Sequence, residues 1–152
     1  MKKFLLLLSI AISLNSYSAD LYVNSSGAAG TYSTLTLALA AANSGDRIFV
    51  STVNPLVESI SIDKSITIAP MTSGDYFILD GSINVVNNPS EVRIIGVSCS
   101  QDISVTSGGS ATESNKLKLF IVDSKMNSAN GGIYGDDPSC SLFVLYCDLP
   151  NG

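Results

Sequence analysis

Histidine is absent from the sequence and charged residues are scarce. None of the 152 residues is histidine, and only 14% are charged. The absence of histidine excludes histidine-based catalytic triads, histidine-ligated metal centres and the commonest general base. Soluble domains usually carry roughly 25% charged residues. In this chain Ser, Thr, Asn and Gly take their place, so hydroxyl and amide groups solvate the surface.

Basic residues are fewer than acidic residues. Eight basic residues face 13 acidic ones, for a net charge of −5 and a pI near 4.4. This balance leaves no basic stripe for nucleic acid. It also repels a polyanion such as polygalacturonate on average, so binding one requires a local basic cleft or a bridging cation.

Cysteine is limited to Cys99, Cys140 and Cys147, an odd number. The run between Cys140 and Cys147, if extended, separates them by about 20 Å, which is beyond disulfide reach. Their spacing also does not fit a zinc site. We expect each cysteine to serve as a small buried hydrophobic residue.

Only one long apolar run occurs, from Phe4 to Leu14, directly after Lys2 and Lys3. It is too short to cross about 30 Å of hydrocarbon as a helix. A charged start, an apolar stretch and small residues near Ala19 are typical of a secretory signal peptide, which we assign to residues 1–19. The sequence predicts an exported protein, extracellular, at the cell surface or in the periplasm, with no membrane span.

Residues 20–45 predict an N-terminal strand and a capping helix. Ser33 offers an N-cap hydroxyl, and Asn43, Ser44 and Gly45 end the helix. Apolar residues between them follow the spacing of one buried helical face: Leu35, Ala38, Leu39 and Ala42.

Residues 46–152 instead follow the period of two that is typical of strands. Ile66 superposes on Val92 after a shift of 26 residues, and shifts of 25 place Val92 over Leu117 and Leu142. Such a repeat predicts a solenoid with one coil per repeat. The predicted fold class is therefore an all-β, right-handed parallel β-helix with coils of about 25 residues. A leucine-rich repeat has a similar period, but its consensus is missing.

The segments Gly45–Val50 and Ile62–Ile68 carry a family resemblance. Gly-Asp-Arg-Ile-Phe-Val and Ile-Asp-Lys-Ser-Ile-Thr-Ile are similar to the N-terminal part of right-handed parallel β-helix proteins of the pectin-lyase-like superfamily. That superfamily includes pectate lyases, pectin esterases, polysaccharide depolymerases and many surface proteins. The resemblance implies the fold more firmly than an activity.

The sequence predicts an uncovered C-terminal edge of the solenoid. The chain ends at Pro150, Asn151 and Gly152, directly after the strand predicted from Leu142 to Tyr146. Bare sheet edges are normally covered. We therefore expect an incomplete β-helix, with further coils or a partner at this edge.

Carboxylates are the remaining candidates for chemistry, and no catalytic residue can be assigned. The shift of 25 residues stacks Ser98, Asp123 and Asp148 on neighbouring coils. Two carboxylates that close repel unless a cation lies between them or one is protonated. Asp123 and Asp148 thus predict a Ca²⁺ site, and they resemble half of the calcium site of pectate lyases. The alternative is that both aspartates end strands and accept hydrogen bonds from turn amides.

The sequence leaves three functions open. The first is a secreted or surface protein with a structural or adhesive role, and the second is a polysaccharide-binding module. The third is the N-terminal part of a pectate-lyase-like enzyme whose catalytic coils lie beyond residue 152. Five tyrosines could stack on sugar rings or could instead pack as ladders on the sheets: Tyr22, Tyr32, Tyr76, Tyr134 and Tyr146.

Overall fold

The structure, a computed structural model, describes residues 18–51, 53–87, 89–106, 116–127, 132–134 and 140–148. Residues 1–17 of the predicted signal peptide lie outside this range. The described residues form a helix, α1 (Leu35–Ala41), and the following strands: β1 (Asp20–Val23), β2 (Arg47–Val50), β3 (Ile60–Ile62), β4 (Ile66–Pro70), β5 (Phe77–Leu79), β6 (Ile83–Val86), β7 (Glu91–Ile95), β8 (Val97–Cys99), β9 (Ile103–Thr106), β10 (Leu117–Val122), β11 (Lys125–Met126), β12 (Ile133–Tyr134) and β13 (Cys140–Leu145).

The strands form three parallel sheets. The six-stranded sheet has the order β1-β2-β4-β7-β10-β13, the four-stranded sheet β12-β9-β6-β3 and the three-stranded sheet β11-β8-β5. Successive strands enter different sheets, so that β4, β5 and β6 make one coil and β7, β8 and β9 make the next. The result is a β-solenoid of about five turns. This confirms the predicted all-β parallel β-helix with a short helix near its N-terminus.

The core is a set of aliphatic rows that run along the solenoid axis. One row crosses all six strands of the largest sheet, through Leu21, Ile48, Ile68, Ile94, Ile121 and Val144. The four isoleucines of this row are completely buried. Since burial of such a side chain contributes about 1.5–3 kcal/mol, the rows supply the main stabilisation of the coils.

Helix α1 packs against β1, β2 and β3 at the N-terminal end of the solenoid. Its buried residues are Leu35, Ala38 and Leu39, as the spacing predicts. The N-cap is Thr34 rather than Ser33, since the Thr34 hydroxyl accepts the amide of Leu37 at 3.1 Å. The predicted cap was therefore wrong by one residue, and the predicted capping helix is correct.

The predicted registers of β10 with its two neighbours, β7 and β13, are also wrong. Ile66 pairs with Val92 as predicted, but Val92 pairs with Leu119 instead of Leu117, and Leu119 pairs with Leu142. A slip of two residues leaves every side chain on the same face of its strand, so alternation alone cannot detect it. The consequence reaches the turns after these strands, where the candidate calcium ligands lie.

Cys99 and Cys147 carry free thiols. Cys99 is fully buried, as predicted, whereas Cys140 and Cys147 are half-buried and pack against the core. The Cys99 thiol donates to the carbonyl of Gly81 at 3.1 Å. Burial raises the pKa of the Cys99 thiol, which keeps it protonated and unreactive.

Strand β13 is the last strand of the six-stranded sheet. Leu142 and Val144 continue the inward rows, yet each is 38% exposed. Whether further coils or a partner cover this edge stays a prediction. Among the described residues, no helix is long and apolar enough to cross a membrane.

Candidate functional site

The outward side of the six-stranded sheet carries aromatic and basic side chains in registered columns. One column contains Arg47, Thr67, Arg93, Phe120 and Phe143, one residue from each of five strands. A second column begins with Tyr22, Phe49 and Ala69. We call the following set the aromatic–arginine face: Tyr22, Arg47, Phe49, Arg93, Phe120 and Phe143.

Two ring stacks lie at opposite ends of this face. The rings of Tyr22 and Phe49 are 5.8 Å apart with an interplanar angle of 24°. Those of Phe120 and Phe143 are 4.7 Å apart at 10°. Parallel pairing places these residues on adjacent strands, whose spacing of about 4.8 Å suits ring stacking. Tyr22 and Phe143 each keep just over 40% of their surface exposed, so the stacks are open to solvent.

Both arginines of the chain belong to the aromatic–arginine face. The Arg47 guanidinium lies 5.6 Å from the Phe49 ring centroid, and that of Arg93 lies 4.6 Å from the Phe120 centroid. Such cation–π contacts contribute about 0.5–1 kcal/mol at exposed sites. They keep each guanidinium close to a ring.

Each arginine also has a carboxylate partner. Arg47 donates from Nε and Nη2 to the two carboxylate oxygens of Asp20, at 2.8 and 3.0 Å. Arg93 donates from Nε to Glu91 at 2.6 Å. About half of each arginine side chain is exposed. The face therefore presents fixed donor and acceptor groups beside apolar rings.

A second polar cluster lies at the corner between the six- and three-stranded sheets. The Tyr76 hydroxyl donates to Asp123 at 2.8 Å, and the Lys125 ammonium lies 4.4 Å from the centroid of the Tyr76 ring. This hydrogen bond is the main reason why the pKa of Tyr76 is raised; desolvation by burial and the charges of Asp123 and Asp148 act in the same direction. A cleft of about 400 Å³ opens here, lined by Asp75, Tyr76, Ile78, Ser98 and Lys125.

The two predicted calcium ligands converge on this corner but do not share a register position. Lys125 pairs with Ser98 and bridges to Asp148, so the position predicted for Asp123 holds a lysine. Asp123 lies two residues earlier, in the turn after β10, with φ of 47°. Within the described ranges, no group of three acidic or cysteine side chains forms a possible metal site. The Ca²⁺ site at Asp123 and Asp148 stays a prediction.

Sequence reasoning did not single out the aromatic–arginine face. Of the five tyrosines considered, only Tyr22 belongs to it. The signal that was missed is the alternation of residues along each strand, which places these side chains on the outward side of the sheet: Arg47, Phe49, Arg93 and Phe120. Their assembly depends on registers between coils, including the two registers of β10, which the alternation of apolar residues cannot determine.

Comparison with protein-family models, with curated proteins and with solved structures finds no match to this chain. Its function therefore has to be inferred from its own side chains.

Proposed function

We propose that this chain is an exported parallel β-helix protein that binds extracellular polysaccharide, in a structural or adhesive role. The observation that carries the proposal is the aromatic–arginine face, with two exposed ring stacks and both arginines on one side of a parallel sheet. The predicted signal peptide at residues 1–19 supports export.

The chemistry of sugars favours such a face. A pyranose ring has apolar C–H patches that gain from burial against aromatic rings, and hydroxyl groups that need donors and acceptors. The stacks supply the rings, and the Arg47–Asp20 and Arg93–Glu91 pairs supply the polar partners. Because the strands are stacked in register, these groups form a rigid surface that loses little entropy when a ligand binds.

A polysaccharide pull-down tests this proposal. The purified chain is incubated with a panel of insoluble and immobilised polysaccharides, and the Phe120→Ala/Phe143→Ala variant is compared with Tyr134→Ala. Tyr134 is the matched control because it is an exposed aromatic residue on the four-stranded sheet. We expect retention of the wild-type chain and the control, and a loss of at least about tenfold for the double variant. Equal retention of all three would contradict the proposal.

The second candidate is the N-terminal part of a pectate-lyase-like enzyme with Ca²⁺ between Asp123 and Asp148. It is supported by the position of both aspartates at one corner, where Asp123 accepts from the Tyr76 hydroxyl at 2.8 Å and Asp148 bridges to Lys125, whose ammonium lies over the Tyr76 ring. Calcium titration by calorimetry, with thermal unfolding in parallel, tests it. The prediction is saturable binding that raises Tm, is lost in Asp123→Asn and persists in Asp63→Asn, an exposed carboxylate elsewhere. If the wild-type chain shows no binding of Ca²⁺ in this titration, the second candidate is excluded.

A further inference from the structure

We infer that the aromatic–arginine face binds a neutral glycan chain running along the solenoid axis, and not a polyanion. The inference rests on the proposed function, because it names the class of polysaccharide bound by the same face. It follows from the pairing of charges on the face and from the distance between its two ring stacks.

The positive charges of the arginines are already matched. Asp20 occupies two donors of Arg47, and Glu91 lies 2.6 Å from Arg93 Nε. An anionic sugar would have to displace these carboxylates, exchanging one ion pair for an equivalent one with no net gain. The net charge of −5 adds repulsion at longer range.

A matched pair suits a hydroxyl group better than an anion. Arginine has five N–H donors, and a carboxylate has about four lone-pair positions, so each pair keeps donors and acceptors to spare. A sugar hydroxyl both donates and accepts. It can therefore bridge a guanidinium and its carboxylate without breaking the ion pair. The two arginine–carboxylate pairs are locally neutral and suit a neutral ligand, while the exposed Lys118, registered beside Glu91, adds one positive charge on this side of the sheet.

The positions of the stacks set the direction and length of the ligand. Phe49 lies on β2 and Phe120 on β10, with β4 and β7 between them. Three strand spacings separate the stacks by about 14 Å. The outward residues of β4, Thr67 and Ala69, are small, so a ligand can pass over them, and on β7 it meets the Arg93 guanidinium. A glycan that reaches both stacks must cross the strands and contain several sugar units.

Contact with both ring stacks predicts that the affinity depends on the length of the glycan. Once one stack is occupied, a longer glycan binds the second at a high effective concentration. We expect affinity to rise at least about tenfold when an oligosaccharide series becomes long enough to bridge both stacks. Tyr22→Ala, which removes a ring from the far stack, should abolish this rise.

The test is affinity electrophoresis of the full chain in gels containing neutral glycans (hydroxyethylcellulose, xylan, galactomannan and starch) or anionic ones (polygalacturonate and alginate), at low and high salt. The expected result is retardation by at least one neutral glycan that persists in high salt. The variant Glu91→Gln/Arg93→Gln removes the matched charges but keeps amide donors and acceptors. Because it alters one polar pair of the face, it should weaken neutral binding about two- to fivefold, whereas Phe120→Ala should weaken it at least about tenfold.

The outcomes separate the two proposals. Retardation by the anionic glycans alone, lost in high salt and in Glu91→Gln/Arg93→Gln, would overturn the neutral-glycan inference and leave polysaccharide binding intact. An absence of retardation by every glycan would overturn both. Circular dichroism of each variant identifies any loss of affinity that comes from unfolding.

Discussion

At the scale of single residues, the corner after the six-stranded sheet repeats one unusual backbone conformation. Gly96, Asp123 and Tyr146 follow β7, β10 and β13, and their φ angles are 60°, 47° and 54°. Only glycine takes this left-handed conformation without cost, and Asp tolerates it better than bulky residues do. A side chain at Gly96 would also lie 2.7 Å from the Asp75 carbonyl oxygen.

These two effects at Gly96 can be separated by substitution. Gly96→Ala introduces both conformational strain and a clash with backbone, so we expect a loss of about 2–4 kcal/mol in the free energy of unfolding. Gly27→Ala serves as the control, because Gly27 has a similar φ of 69° but open space around it. It should lose only about 1 kcal/mol. Urea denaturation measures both, and equal losses would contradict the close approach at Gly96.

The pKa of Tyr76 gives a second prediction at this scale. The hydrogen bond to Asp123, followed by burial and the nearby negative charges, raises this pKa, so the folded protein holds the phenolic proton more tightly than the unfolded chain does. Unfolded tyrosine titrates near about pH 10. The stabilisation is therefore complete below that pH and is lost as pH rises through the folded-state pKa.

Stability measured against alkaline pH tests this linkage. Tyr76→Phe removes the titrating group and the hydrogen bond, so it should lower stability at neutral pH and flatten the alkaline decline. Tyr134→Phe, at an exposed tyrosine, should leave the profile unchanged. If both variants show the wild-type dependence of stability on pH, the Tyr76–Asp123 hydrogen bond does not contribute to stability.

At the scale of elements, α1 depends on the coil beneath it. The helix has only seven residues and would be unstable alone in water. Glu58 accepts the amides of Leu35 and Thr36 at 2.7 and 3.0 Å, and the Lys64 ammonium donates to the carbonyls of Leu39 and Ala42 at 2.9 and 3.0 Å. Each charge also has the sign that its end of the helix dipole favours.

Removing the Glu58 cap should therefore loosen the helix. We expect Glu58→Ala to cost about 1–3 kcal/mol, because it leaves first-turn amides without their acceptor. Asp63→Asn, an exposed carboxylate near the other end, should change stability by less than about 0.5 kcal/mol. Hydrogen exchange at the Leu35 and Thr36 amides localises the effect. Unchanged protection in Glu58→Ala would show that the cap is dispensable.

The same element shows how far the sequence could predict the structure. Periodicity identified the helix and its buried residues, because both are encoded within ten neighbouring positions. The Glu58 and Lys64 contacts span more than 20 residues and depend on how coils stack. Likewise, the alternation of apolar residues correctly predicted which residues of β10 point inward, but it did not predict how β10 pairs with its neighbours. The aromatic–arginine face depends on that pairing.

At the scale of the whole molecule, burial falls towards β13. In one inward row, Ile94 and Ile121 are fully buried, whereas Val144 is 38% exposed. In a solenoid each coil contacts mainly its neighbours, so the stability of a coil follows its own contacts. The described coils should therefore not be equally sensitive to core truncation.

Alanine substitutions along this row measure the gradient. Ile94→Ala should cost about 2–5 kcal/mol through lost burial and a cavity, while Val144→Ala should cost less than about 1 kcal/mol. Thermal unfolding at matched protein concentrations compares them. Similar losses for the two variants would indicate that another part of the protein covers β13.

The most direct measurement is a map of backbone amide chemical shifts during titration with the polysaccharide that binds best. The account predicts changes at Phe49, Arg93 and Phe120, on the six-stranded sheet, and none at Tyr134 on the four-stranded sheet. Changes confined to the Tyr76 corner, or no changes at saturating ligand, would contradict binding by the aromatic–arginine face.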